Sequence, residues 1–198
     1  MSTSEKTYHH GDLRAALLTA AVELLELGEP FSMRAVARRA GVSQTAPYRH
    51  FADRAALDNA VAAAGFDDLT SELSAALATM PEGADLEEVL SQLGVAYVMF
   101  ALNRPAEFRI MFGNECDEAD AERVLAAQKL HALLENVLAG EVPPDQVPDA
   151  SLALWGMAHG LAFLHLDGKL RPSPVDEVQA RVRAAVSGVL HLQASAQA

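Results

Sequence analysis

The sequence predicts an all-α protein of about nine helices, a three-helix N-terminal unit followed by a larger helical domain. Three observations predict it. Apolar residues recur three and four apart over almost the whole length, the spacing that gathers them on one helix face. No stretch alternates apolar and polar with the period of a half-buried strand, and no internal repeat stands out. Compact Pro/Gly breaks separate the periodic stretches: Gly28–Pro30, Pro81–Gly83, Asn103–Pro105 and Gly140–Pro148. With 198 residues and 51% apolar side chains, the chain can bury a core and is too apolar to stay disordered.

The first helix is predicted from Asp12 to about Leu27, with Leu13, Leu17, Ala20, Leu24 and Leu27 on one face and Gly28 and Pro30 as its stop. Ser32–Phe51 then reads as a short helix, a Gly-containing turn and a second short helix. Ser32 is an N-cap, and Phe31 and Val36 stand where a hydrophobic staple fixes the entry angle. Val36, Ala37 and Ala40 form the apolar stripe, with Arg34, Arg38 and Arg39 on the other sides. Gly41 falls where a left-handed residue ends a helix at least steric cost. The small residues Ala37, Ala40 and Gly41 let two helices cross closely and steeply, the helix-turn-helix arrangement, here about 32–51. Ser43 is placed to cap the second helix, which would expose Gln44, Thr45, Ala46, Tyr48, Arg49 and His50. These are the hydrogen-bonding, basic and small groups that a helix entering a DNA major groove needs. Periodicity alone fits an ordinary helical hairpin with a polar outer face equally well. Pro47 inside this segment makes the regular helix start late, near Thr45, and very short.

Asp53 caps a fourth helix whose stripe, Leu57, Val61, Leu69, Leu73 and Leu77, runs to Met80. Leu86, Val89, Leu90, Leu93, Tyr97 and Phe100 mark a fifth, and Ala106–Phe112 a short sixth. After the acidic loop Gly113–Asp120 come a seventh over Ala121–Leu138, an eighth over about Asp149–Leu166 and a ninth begun at Ser173–Asp176. The last residues, Gln193–Ala198, read as frayed.

Ala40-Gly41-Val42-Ser43, followed by Tyr48-Arg49-His50-Phe51 and Asp53-Arg54-Ala55-Ala56-Leu57, closely resembles the DNA-binding domain of the TetR family of transcriptional regulators. That family's pattern ends in Tyr-x-His/Tyr-Phe, a short turn and Lys-x-x-Leu; Arg54 keeps the positive charge of the usual Lys. Tyr8–Arg14 also matches one branch, so the resemblance covers roughly Tyr8–Val61. It implies a DNA-binding domain over 8–70 and a regulatory and dimerisation domain over 71–198. It implies further that Gln44, Thr45, Ala46, Pro47 and Tyr48 face base edges, with Gln44 and Thr45 reading them directly, and that Ser43 belongs to the DNA-binding residues. Tyr48, His50 and Arg54 would hold phosphates, helped by Arg34, Ser32 and the arm Tyr8–His10. The implied partners are a pseudo-palindromic double-stranded operator, a second copy of the chain and a small-molecule effector, with repression the commoner outcome.

The formal charge of −12 is unusual for a DNA binder, and its distribution resolves the conflict. Residues 1–56 hold seven Lys and Arg against six Asp and Glu; the remainder hold eight against twenty-one. The acidic excess lies away from the proposed DNA face.

Arg104–Phe112 and Trp155–Leu161 resemble the family's C-terminal type named for Trp, His and Gly. Family precedent implies that the eighth and ninth helices of two chains form a four-helix bundle, here through Leu152, Trp155, Val178, Val182, Val186 and Val189. Ala180, Ala184, Ala185, Ser187 and Gly188 back the valines with small groups. Tyr97, Phe100, Phe108, Met111, Phe112, Trp155, His159 and Phe163 are the candidate lining of a ligand chamber, since mostly apolar pockets with a few polar groups suit small molecules. Plain core packing is the alternative for each. His131 and His165 lack a partner at metal-ligand spacing, so no metal site is expected. No nucleophile elbow, phosphate-binding loop or His-Glu-x-x-His pattern occurs, so neither catalysis nor a cofactor is expected. No apolar run approaches the ~20 residues that span a bilayer, and a single cysteine, Cys116, suits a reducing cytoplasm.

Overall fold

The computed structural model describes residues 10–113 and 121–194, with side chains described over 13–113 and 121–191. Tyr8 and His9 of the expected N-terminal arm, Cys116 with its acidic neighbours, and residues 195–198 lie outside the described residues. The described residues form α1 (His10–Glu26), α2 (Met33–Arg39), a 3₁₀ turn (Pro47–Arg49), α3 (Arg54–Ala78), α4 (Leu86–Asn103), α5 (Pro105–Gly113), α6 (Ala121–Leu138), α7 (Val147–Leu166) and α8 (Val175–Ala194). The all-helical class holds, with eight α-helices and one 3₁₀ turn where nine helices are expected. None of these helices is long and apolar enough to cross a membrane.

The chain packs as two compact units. One comprises residues up to 65 together with 106–123; the other comprises 66–105 and 124–198. In the first, Leu17, Ala21 and Leu24 of α1 meet Val36 of α2, Phe51, and Leu57 and Val61 of α3 in one buried cluster. Each of these large side chains contributes roughly 1.5–3 kcal/mol by leaving water. The start of α5 belongs here because the Glu26 carboxylate accepts the Ala106 and Glu107 amides at 3.1 and 2.9 Å. A carboxylate at a helix N-terminus satisfies orphan donors and meets the positive end of the dipole.

In the second unit α4 is the central rod, and both α7 and α8 pack on it. Asp85 starts it with a reciprocal capping box: its carboxylate accepts the Glu88 amide at 2.8 Å while Glu88 reaches back to the Asp85 amide. A Cβ at Gly94 would stand 3.0 Å from Val182 Cγ1, so this glycine sets how closely α8 can approach α4. Val178, Val182 and Val186 are fully buried in that packing. This corrects the expectation that they form a surface for a second chain: the valine stripe is consumed within the chain, and Val189 packs on the same core. The outer faces of α7 and α8 carry Leu152, Ala153 and Gly156, and Ala180, Ala184 and Gly188, all exposed.

Candidate nucleic-acid interface and apolar cavity

Ser32, with extended backbone, accepts the Ala35 amide at 3.2 Å and starts α2 as its sequence requires. The exit is set by Gly41 at φ +69°. Its amide bonds Arg38 O and the next amide, of Val42, bonds Ala37 O at 3.0 Å. This pair is the Schellman motif, and it turns Val42 back onto the core of the first unit. The segment after Val42 is not an α-helix. Ser43 O accepts the Ala46 amide at 3.0 Å, and the 3₁₀ turn Pro47–Arg49 closes through His50 and Phe51 amides on Pro47 O. The Ser43 hydroxyl lies 3.2 Å from the Thr45 hydroxyl rather than capping a helix. Proline has no amide proton to extend a helical ladder backward, which keeps the segment short.

Of the expected contact residues, Arg34, Ser43, Gln44, Thr45, Tyr48 and Arg54 are exposed and His50 is half-buried. Ala46 and Pro47 are buried, which corrects their expected exposure: they anchor the segment from beneath, so their side chains are not presented to a base. Tyr48 keeps 54% of its surface open beside them. The arginines divide into two groups. Arg39 pairs with Glu23 at 2.7 Å. Arg54 pairs with Asp58 at 2.9 Å, donates to Phe31 O and lies 4.1 Å over the Phe31 ring. Arg34, Arg38 and Arg49 are exposed and form no ion pair among the described residues. Arg34 and Arg38 stand one turn apart on α2, and Arg49 ends the 3₁₀ turn. Arg38 and Arg49 fall outside the contact set expected from sequence. Arg38 has no acidic residue three or four positions away, whereas Arg49 has Asp53 four positions on, so sequence spacing marks the first as unpaired and not the second.

The second unit holds a cavity of about 570 Å³, open solvent at its mouth included. Leu73 of α3, Leu90, Leu93, Gly94 and Tyr97 of α4, and Leu130, His131, Leu133 and Leu134 of α6 line it, with Leu154, Trp155, Met157 and Ala158 of α7 and Val186 of α8. No Asp, Glu, Lys or Arg is among them. Trp155 Nε1–H donates to the Tyr97 hydroxyl at 3.2 Å, which lies 2.9 Å from His159 Nδ1. Burial pushes the Tyr97 hydroxyl far above its ordinary range, more than the Trp155 bond lowers it, and burial pushes His159 down. A protonated phenol beside a neutral imidazole, with an indole that can only donate, fixes the direction Trp155 → Tyr97 → His159 Nδ1.

The structure therefore brings together only part of the expected chamber. Tyr97 and Trp155 line the cavity, His159 reaches it through Tyr97, and Phe163 packs on the His159 ring at 4.8 Å. Phe100 is core, with Arg104 stacked 4.9 Å over it. Phe108, Met111 and Phe112 belong to the first unit, where Phe108 and Met111 are fully buried. Trp155, expected at the subunit interface as well, is turned to the cavity. The missed lining residue with chemistry is His131, whose ring meets Trp155 edge-on at 4.9 Å.

A small helical unit that exposes a helix-turn-helix segment, followed by a larger helical unit with an apolar cavity, defines a one-chain DNA-binding regulator. The model of bacterial regulatory proteins of the tetR family matches residues 17–61, and the tetracyclin repressor-like C-terminal domain matches 90–194. The chain belongs to the TetR family; it is a transcriptional regulator and not an enzyme. It is similar to a protein with unknown function from Rhodococcus sp. RHA1, at 35% identity over 93% of this chain and 98% of that one, TM-score 0.76. A TetR transcriptional regulator from the same organism aligns at 21% identity over 92% and 98%, TM-score 0.65. A TetR variant from Acinetobacter baumannii AYE in complex with minocycline aligns at 21% over 94% and 98%, TM-score 0.64. No curated protein matches the chain.

Proposed function

We propose that the chain is a repressor that binds a pseudo-palindromic operator as a homodimer and is released by a small lipophilic molecule. The observation that carries this reading is the exposed segment Ser43–Arg49. It is held by a Schellman turn above and by buried Ala46 and Pro47 below, and presents Gln44 and Thr45 between unpaired cations. Gln44 and Thr45 supply direct readout of base edges. Tyr48, Arg34, Arg38 and Arg49 hold phosphates, with Arg54 acting first to fix the start of α3 through Asp58 and Phe31. The dimer forms through the outer faces of α7 and α8. Exposed Leu152, at 62% open surface, supports it, as do Gly156 and Gly188, where a Cβ would meet nothing within 4 Å in one chain. The effector binds the cavity of the second unit. A molecule that prefers the form with the wrong spacing of recognition segments lowers DNA affinity by that preference and no more.

The test is operator affinity, by fluorescence anisotropy on a duplex selected with the purified chain, with and without a panel of lipophilic compounds. The expected result is nanomolar binding weakened by a saturable ligand. A protein that binds the duplex yet ignores every compound in the panel is a regulator without an inducer. A protein that binds no duplex is not a DNA-binding regulator.

A further inference from the structure

The cavity also has a polarity that selects its ligand, a selection that rests on the effector reading proposed for this unit. Its lining holds no Asp, Glu, Lys or Arg, so an anion or a cation drawn inside it would lose its hydration without gaining a carboxylate, ammonium or guanidinium as counter-charge. The indole proton of Trp155 is already given to Tyr97. His131, at the exposed rim, has Nδ1 2.9 Å from the Ala127 carbonyl oxygen. A carbonyl can only accept, so Nδ1 carries the hydrogen, and in that tautomer of the imidazole the acceptor nitrogen is Nε2.

From this geometry we infer that the cavity takes a neutral, largely aliphatic molecule bearing one hydroxyl, whose proton is received by His131 Nε2, and that it excludes carboxylates and ammonium ions. With His131 Nε2 as that acceptor, the ligand must supply the donor. A carboxylate brings only acceptors and a charge; an ammonium brings donors together with a charge that no wall residue balances.

Trp155 is the single tryptophan of the chain, so its fluorescence reports directly on the cavity. The full-length protein is titrated at pH 8 with 1-octanol, octanoate and octylammonium, following Trp155 emission, melting temperature and release of the selected duplex. The expected result is saturable binding of 1-octanol at least tenfold tighter than of either ion. His131→Leu should retain the fold and the Trp155 signal while binding 1-octanol roughly fivefold more weakly, the worth of one neutral hydrogen bond. Octanoate or octylammonium binding as tightly as 1-octanol overturns the assignment, as does a His131→Leu protein with undiminished affinity. Octanol binding without duplex release supports the assignment and overturns the effector reading. Duplex release by octanoate alone does the reverse, and saturable binding of none of the three overturns both.

Discussion

The two units use their polar groups in opposite ways. In the first, polar side chains from Ser43 to Arg49 stand in solvent, and rigidity comes from backbone bonds beneath them: Val42 amide to Ala37 O, and His50 and Phe51 amides to Pro47 O. In the second, the polar groups Trp155, Tyr97 and His159 are turned on one another inside an apolar wall. An exposed site keeps its donors and cations available because water satisfies them until a partner arrives. A partly enclosed site satisfies them internally, which leaves walls without Asp, Glu, Lys or Arg. The same contrast separates the two faces of α8, one of buried valines and one of exposed small residues.

The sharpest way to break that contrast is to place one charge on each face of α8. Val182→Asp buries an unpaired carboxylate against α4 and should cost about 3–5 kcal/mol, read as loss of the cooperative thermal transition. Ala184→Asp should leave the fold intact and shift sedimentation toward the monomer, together with loss of operator affinity. Equal damage from both changes would erase the distinction between the faces.

Within the exposed segment the expected effects are smaller. Gln44→Ala should cost on the order of 1–3 kcal/mol at one base pair and change the sequence preference in a duplex-selection profile. Gly41→Ala should cost about 1–2 kcal/mol of stability in chemical denaturation, because a Cβ is placed at φ +69°. Tyr48→Ala should weaken all duplexes alike with little loss of stability, and unchanged affinity would remove it from the phosphate contacts. Arg38→Ala should lower the slope of log affinity against log salt by about one, whereas Arg39→Ala, already paired with Glu23, should change it less.

The smallest effect belongs to pH. His159 and buried His165 are both held below their ordinary value of 6.5, by burial first and, for His165, by Arg181 second. Above that value both forms of the chain are neutral at these rings. Below it the unfolded chain takes up protons that the folded chain refuses, so stability should fall as pH drops from about 6.5 and be flat above it. A melting temperature unchanged down to pH 5 would contradict the buried, neutral assignment.

Local chemistry was legible in the sequence. Ser32 and Asp53 cap α2 and α3 because one hydroxyl or carboxylate suffices, and Gly41 turns left-handed because no other residue does so cheaply. The class and nearly every helix were legible from spacing alone. The partner of a helix face was not. A valine stripe on α8 says that the face is buried, and packing on α4 or on a second chain leaves the same periodic trace. Nor could spacing show that Ala46 and Pro47 point inward, since a 3₁₀ turn does not keep the α-helical face. Contacts such as Glu26 with α5 and Arg14 with Glu122 at 2.7 Å join residues some eighty or more positions apart, and no local pattern records them.

The central claim is that two copies of the chain present Ser43–Arg49 to one duplex. Selecting random duplexes with the purified protein, and counting the chains bound to the enriched sequence, tests it most directly. The expected product is an inverted repeat with half-sites about one helical turn or slightly more apart, bound by two chains. Recovery of no motif, or of a single half-site held by one chain, would contradict it.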